Sequence, residues 1–401
     1  MDKENFGSTK GKFESVETEQ AEAEAYIPAK LPVEIELDME LLKLLDEARG
    51  NLGRLYSISE DLDNPTMYYG PALIQEAASS SRIEGTRTTM ERIFEKEIEL
   101  EEKKIDPEDR ELRNPEDVVA ALEEGIEYGL ERIQVQPLNL DLIKRLHDKV
   151  FSGAEMRTGK FRNKPVWIGS GANGIDQARY VPPPAQEIEN LLENLVDYIN
   201  NPEADDMPIL VKIAIVHYQF EAIYPFEDGN GRIGRLLILL NMCDEEIYDD
   251  EPLLTGPFIN LSNYFLRNRQ EYYDRLLETS TKGDYTNWVK YFLKAVKRQS
   301  QHAIKTLEEV EELREEFKKQ VSGEGIPEVA TEVIDELFNN PIITIPKVEN
   351  KFNVSYQTAH KTIHKLEEKN ILKETNPDQR PKKFMCEKIL DVVYSDFEWQ
   401  I

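Results

Sequence analysis

The stretch IYPFEDGNGRIGRLLILL, Ile223 to Leu240, decides how this chain is read. Two apolar segments flank a short loop. Met207 to Ile223 carries Ile209, Ile213, Val216, Phe220 and Ile223 at helical spacing, which predicts a helix with one apolar stripe that ends before Pro225. Ile233, Leu236, Leu237 and Leu240 predict a second helix after Gly229-Asn230-Gly231. Glycines let a phosphate approach the backbone N–H groups, and the N-terminus of the following helix favours an anion. Arg232 and Arg235 lie three apart on that helix and can face one ligand. Asp228, just ahead of the loop, is a hard oxygen ligand suited to a magnesium ion that bridges phosphates. Each feature alone is common. Together they favour a nucleotide site over a plain turn.

The same reading extends outward. Helical periodicity covers 38–55, 71–84, 116–133, 138–151, 185–199, 263–279 and 285–318. The body is therefore expected to be mainly α. Lys164 to Gly169 and Ala178 to Val181 read as two short strands of a hairpin. Either that hairpin clamps an extended peptide or it is a decorative loop. From Ile326 the pattern changes to three helices and a hairpin, a winged-helix arrangement. Lys361, Lys365 and Lys369, with Arg380, Lys382 and Lys383 at the tip, suggest a DNA-facing surface over 326–401. The competing reading is a solvated face on a protein-contact or homodimer module. The expected organisation is a disordered lead-in over 1–24, a helical region over 25–115, a helical core over 116–300, a connecting helix over 301–325 and the C-terminal module over 326–401.

Composition narrows the classes. The chain has 401 residues, 40% of them hydrophobic, which is ample for packed cores. Its formal net charge of −29 disfavours nucleic acid and acidic membranes unless basic residues segregate on one face. No apolar run approaches the roughly 18 residues of a membrane span. The start of the chain lacks the apolar segment of a secretory signal. Cys243 and Cys386 make no disulfide framework or zinc site. A cytoplasmic setting is expected.

Residues 224–235 resemble the signature of Fic proteins, which reads His-Pro-Phe-x-(Asp/Glu)-Gly-Asn-Gly-Arg-x-x-Arg. Ala25 to Pro32, Ser80 to Thr86, Gly159 to Arg162, Trp167 to Pro184 and Tyr272 to Leu276 are similar to further segments of that family. The resemblance implies a helical Fic (Fido) core that transfers AMP from ATP to a hydroxyl side chain of a target protein. It implies that Asp228 holds Mg2+, that Gly229, Asn230, Gly231 and Arg232 bind the phosphates, and that Arg235 holds the end phosphate. Tyr272 and Tyr273 would lie on the adenine side. Trp167, Ile168 and Gly169 would belong to a flap that docks the target. Glu84, with Ser80 before it, would be inhibitory by pairing with Arg235.

Where the family has its catalytic histidine, this chain has Tyr224. A free histidine titrates near about 6.5 and a free tyrosine near about 10. At neutral pH only about one such tyrosine in a thousand is ionised. Three readings stay open: a nucleotide-binding pseudoenzyme, a tyrosine whose pKa the pocket lowers, or a tyrosine that itself accepts the nucleotide. His217 lies two turns upstream, about 10 Å along the axis, too far for direct transfer.

Overall fold

A computed structural model of the protein describes residue 6 and residues 10–17, 22–62, 66–103, 112, 114–154, 156–169, 175–201, 204–244, 252–323, 325–375 and 381–394. The chain begins with strands β1 (Lys12–Glu17) and β2 (Glu22–Ile27). The helical body follows: α1 (Met39–Glu60), α2 (Thr66–Ile83), α3 (Met90–Lys103), α4 (Pro115–Ile133), α5 (Leu140–Phe151), α6 (Ile188–Asn200), α7 (Ile209–Ile223), α8 (Asn230–Cys243), α9 (Leu261–Arg267), α10 (Arg269–Lys282) and α11 (Tyr285–Val321). The C-terminal part holds α12 (Ala330–Asn339), β3 (Ile342–Thr344), α13 (Ile345–Lys351), α14 (Tyr356–Glu368), β4 (Lys373–Glu374), β5 (Lys383–Met385) and α15 (Glu387–Val393). The protein is mainly α, as its periodicity predicts. Among the described residues no helix is long and apolar enough to cross a membrane.

Helix α1 lies along α11, α2 packs on α4 and α9, and α4 packs on α5. Helices α7 and α8 pack against each other at the centre. The one-sided stripe expected for 207–223 is a helix buried almost all round. Every residue of α7 is buried except Ile209 and Glu221. Such a helix is a core element rather than a surface one, and one of its two partly buried exceptions, Glu221, is a carboxylate.

Two expectations are corrected, and one helix was not foreseen. Residues 12–17 and 22–24 are strand, not a structureless lead-in, and β1 pairs antiparallel with β2 from Lys12↔Ile27 to Glu17↔Glu22. The cause is aromatic burial: Phe13 packs on Tyr26 at 5.7 Å, Tyr26 packs on Tyr180 at 6.0 Å, and the Tyr26 N–H donates to Val181 O. The flap is one antiparallel bridge, Ile168↔Tyr180, rather than two strands. Pro165 and Pro182 to Pro184 lack the N–H donors that a longer ladder needs, and the expected turn at 170–174 lies outside the described residues. The acidic helix α3 was hidden by its charge, although Ile93, Phe94 and Ile98 are buried on one side.

Within 326–401, β3, β5 and β4 form a three-stranded sheet beside α12, α13 and α14. Helix α12 rests on α2 and α11, and α15 rests on α11. Most lysines expected to face DNA are paired within the chain. Lys365 holds Glu368, Lys382 holds Glu374 at 2.7 Å and Lys383 reaches Glu95 at 3.0 Å. Arg380 lies outside the described residues.

Candidate active site

The loop between α7 and α8 is built by side chains that tie its backbone. Tyr224 ends α7 in the left-handed region, at φ 51° and ψ 62°. A bulky residue seldom sits there, and two groups fix it. Its N–H donates to Phe220 O at 3.0 Å. The buried Arg162 donates to Tyr224 O at 2.8 Å, and also to Pro183 O at 2.6 Å and Ile223 O at 3.3 Å. Asn230 closes the loop: its Oδ1 accepts from Phe226 N and its Nδ2 donates to Phe226 O. The Asn230 side chain, expected on the phosphates, is therefore used inside the loop. Gly229 has φ 80°, and a Cβ there would lie 2.2 Å from the Phe151 ring. Both observations require glycine at that position.

His147 supports the loop from α5, and its sequence context carried no motif. Its ring stacks on Phe226 at 3.8 Å and is fully buried. Nδ1 accepts from Gly159 N–H, so Nε2 carries the proton and donates to Asp228 O at 3.0 Å. Burial pushes its pKa down to about 4, which keeps the ring neutral. His217 is a core residue, as expected from its distance. Its Nδ1 donates to Gly234 O and its Nε2 accepts from the Tyr272 hydroxyl at 2.8 Å. Burial takes its pKa down to about 3.

Arg235 projects from α8 toward the end of α2. Its Nε donates to Ser80 Oγ at 2.9 Å, and Nη2 donates to Ser80 O at 3.0 Å and Glu84 Oε1 at 2.8 Å. The arginine is 1% exposed at its side chain and Glu84 is 32% exposed. Burial disfavours the charge of Arg235, and the Glu84 carboxylate more than offsets this, so the guanidinium is held above its ordinary range. Further buried contacts fasten α2. Glu76 accepts from Ser262 N–H and its hydroxyl, and Asn260 donates to Ser79 Oγ at 3.2 Å. Glu84 itself follows the last helical residue and precedes Gly85, at φ 99°. Arg232 lies over the Phe151 ring at 4.3 Å, and its buried Nε has no hydrogen-bond partner among the described residues.

Glu84, Tyr224, Gly231 and Arg235 meet at a cavity of about 350 Å³, large enough for a small organic ligand. Ile168 and Gly169 of the flap also line it. Trp167 is 38% exposed and Ile168 is 39% exposed. Of the two tyrosines expected on the adenine side, only Tyr273 lines the cavity. Tyr272 is buried against Phe265 at 4.7 Å, with its hydroxyl taken by His217. The i and i+1 positions of α10 face different directions, and the core takes the first. Arg269 lies over the Tyr273 ring at 5.6 Å.

The Tyr224 phenol is held well above its ordinary pKa. Burial is the main cause, and the carboxylates of Glu221, Glu84 and Asp228 add to it. Of the three readings of Tyr224, the one in which the pocket lowers its pKa finds no support in these surroundings, which raise it. Asp228 is exposed and its Oδ1 accepts from Gly229 N–H at 2.6 Å. Among the described residues no cluster of three or more metal-ligating side chains is present. A single hard carboxylate beside a glycine loop and a helix N-terminus nevertheless fits magnesium, which commonly takes one or two protein oxygens and completes its shell with water and phosphate.

Family profiles agree with this geometry. The profile described as "Fic/DOC family" matches residues 137–242, and that described as "Fic/DOC family N-terminal" matches residues 42–127. The chain belongs to the Fic/DOC family. A probable protein adenylyltransferase of Aquifex aeolicus is 28% identical over 137 residues, 34% of this chain and 35% of that protein. The protein adenylyltransferase Fic of Nematostella vectensis is 26% identical over 214 residues, 52% of this chain and 45% of that protein. The match thus spans less than half the length of these relatives. The crystal structure of a Fic family protein from Desulfovibrio desulfuricans G20 shares the fold, with a TM-score of 0.54 at 19% identity over 88% of this chain and 97% of that one. In this Fic chain the signature residues sit on the α7–α8 loop, and the N-terminal profile covers α2, which delivers Glu84 to Arg235.

Proposed function

We propose that this chain binds ATP and transfers its AMP to a hydroxyl side chain of a target protein, and that Glu84 restrains the reaction. The observation that carries the reading is the 2.8 Å pair between Glu84 and the buried Arg235 at the edge of the cavity. A buried arginine beside a glycine loop and a helix N-terminus suits the end phosphate of a nucleotide. Glu84 already neutralises it, so ATP either displaces the carboxylate or binds without that contact. The backbone N–H groups at the start of α8, with Arg232, would hold the inner phosphates. Arg232 Nε is buried and lacks a partner among the described residues, so an anion would satisfy it. Asp228 would hold Mg2+, which when bound neutralises phosphate charge. The target would dock at the exposed Trp167, Ile168 and Gly169. Tyr224 stands where the family's histidine takes the proton from the target hydroxyl. A phenol held protonated is a poor base, so transfer is slow relative to a histidine form.

A DNA-binding role for 326–401 has less support, because Lys365, Lys382 and Lys383 already face carboxylates.

Glu84→Gly frees Arg235 for phosphate. One charge-assisted contact contributes about 1.5–3 kcal/mol, so ATP affinity rises by about ten- to a hundredfold. Titration calorimetry with ATP and magnesium on both proteins measures this. Equal affinity in the two proteins would remove Glu84 from the account, and no binding in either would remove the nucleotide site.

A further inference from the structure

We propose that Glu221 is the proton acceptor of this cavity, standing in for the base that Tyr224 cannot supply. The inference rests on the AMP-transfer reading above. Glu221 is the one carboxylate of α7 and the only residue beyond its first position that escapes full burial. It lines the same cavity as Glu84, Tyr224, Gly231 and Arg235. Its Oε1 is buried and makes no hydrogen bond among the described residues. A buried carboxylate oxygen without a partner is costly, and such a group commonly marks a site that a ligand or a reaction completes.

The fold makes room for this carboxyl. A Cβ on Gly234 would lie 2.3 Å from Glu221 Oε1, so glycine at that position of α8 is what admits it. The charged and titratable groups that face it come from each neighbouring element: Glu84 after α2, Arg235 on α8, Tyr272 on α10 and Tyr224 at the end of its own helix. Burial, with Glu84 nearby, lifts the carboxyl to about 7 against the pull of Arg235. A group that titrates near the working pH is a suitable general base.

In the step, the target oxygen forms a bond to the α-phosphorus of ATP. The bond from that phosphorus to the bridging oxygen of the β-phosphate breaks, and pyrophosphate leaves with the electron pair. The hydroxyl proton goes to the Glu221 carboxylate. Removal of Glu84 by substitution lowers the Glu221 pKa and leaves more of it as base.

The test uses the full-length Glu84→Gly protein, magnesium and α-labelled ATP, with self-labelling as the readout. Transfer is followed from about pH 5.5 to about pH 8.5, a span that brackets a base poised near neutrality. The proposal expects the rate to rise with pH through one group that titrates near or below neutrality. Adding Glu221→Gln lowers the rate by about a hundredfold or more, removes that rise and leaves ATP affinity by calorimetry unchanged, while Glu221→Asp restores part of the rise. Tyr224→Phe keeps the rise. The proposal is overturned if Glu221→Gln keeps both rate and rise, if its loss of rate tracks lost ATP binding, or if Tyr224→Phe removes the rise. Should the Glu84→Gly protein be silent while Glu84→Gly/Tyr224→His transfers AMP, the AMP-transfer reading stands and Glu221 fails. Silence of both overturns both.

Discussion

Tyr224→His, made in the Glu84→Gly protein, raises the initial rate of AMP transfer by about a hundredfold. The backbone is ready for the change. Tyr224 occupies the left-handed region, which histidine enters more readily than most residues with side chains. Arg162 and Phe220 hold its backbone through main-chain atoms, so the anchoring survives the substitution. The gain comes from chemistry. The phenol is held above its ordinary pKa by burial, with Glu221 and Asp228 adding to it once Glu84 is gone, whereas an imidazole is substantially neutral at pH 7 and accepts a proton directly. A well-placed base contributes about 10²–10⁴-fold, and the lower end applies because Glu221 already takes part of that work. The measurement is the initial rate of label incorporation at saturating ATP. A rate that stays within about twofold of the Tyr224 form, far below a base's usual contribution, would show that proton transfer does not limit the reaction.

The second large effect is on stability. Arg162→Met costs about 3 kcal/mol in urea-induced unfolding. Arg162 is 2% exposed and has no carboxylate partner within the described contacts. Its guanidinium donates instead to the carbonyls of Tyr224, Lys164, Pro183 and Ile223. These join the flap to the end of α7, and each carbonyl left dry after the substitution carries a penalty of roughly 1 kcal/mol or more. Burial takes the Arg162 pKa down to about 10, so the group stays charged at neutral pH. A loss below about 1 kcal/mol would mean that water reaches these carbonyls.

Much of the site was legible because it is contiguous. The glycine loop, Asp228, Arg232 and Arg235 lie within one short stretch, and helix spacing puts the arginines on one side. Glu84 was legible only through resemblance, since nothing local to Ser80–Gly85 says that Arg235 lies 2.8 Å away. Long-range pairs leave no periodic trace. His147 was missed for the same reason: its partners, Phe226 and Asp228 in the loop and Gly159 before the flap, come from two segments distant from it in sequence. Glu221 was hidden in a helix read as one-sided, where an acidic residue looks like a solvated face. Only the burial of α7 on nearly all sides turns that carboxylate into an exception. Tyr272 misled because neighbouring tyrosines look interchangeable in sequence, while the helix sends one to the core and the other to the cavity. Strand β1 was missed because its charges masked Phe13 and Val16, which find apolar partners on β2 and on the segment from Ile175 to Val181.

The most direct test of the account is the intact mass of the Glu84→Gly protein, Tyr224 retained, after incubation with magnesium and α-labelled ATP. The account predicts a covalent AMP adduct that unmodified protein forms more slowly. Bound ATP without any adduct, in the presence of the freed Arg235, would contradict it.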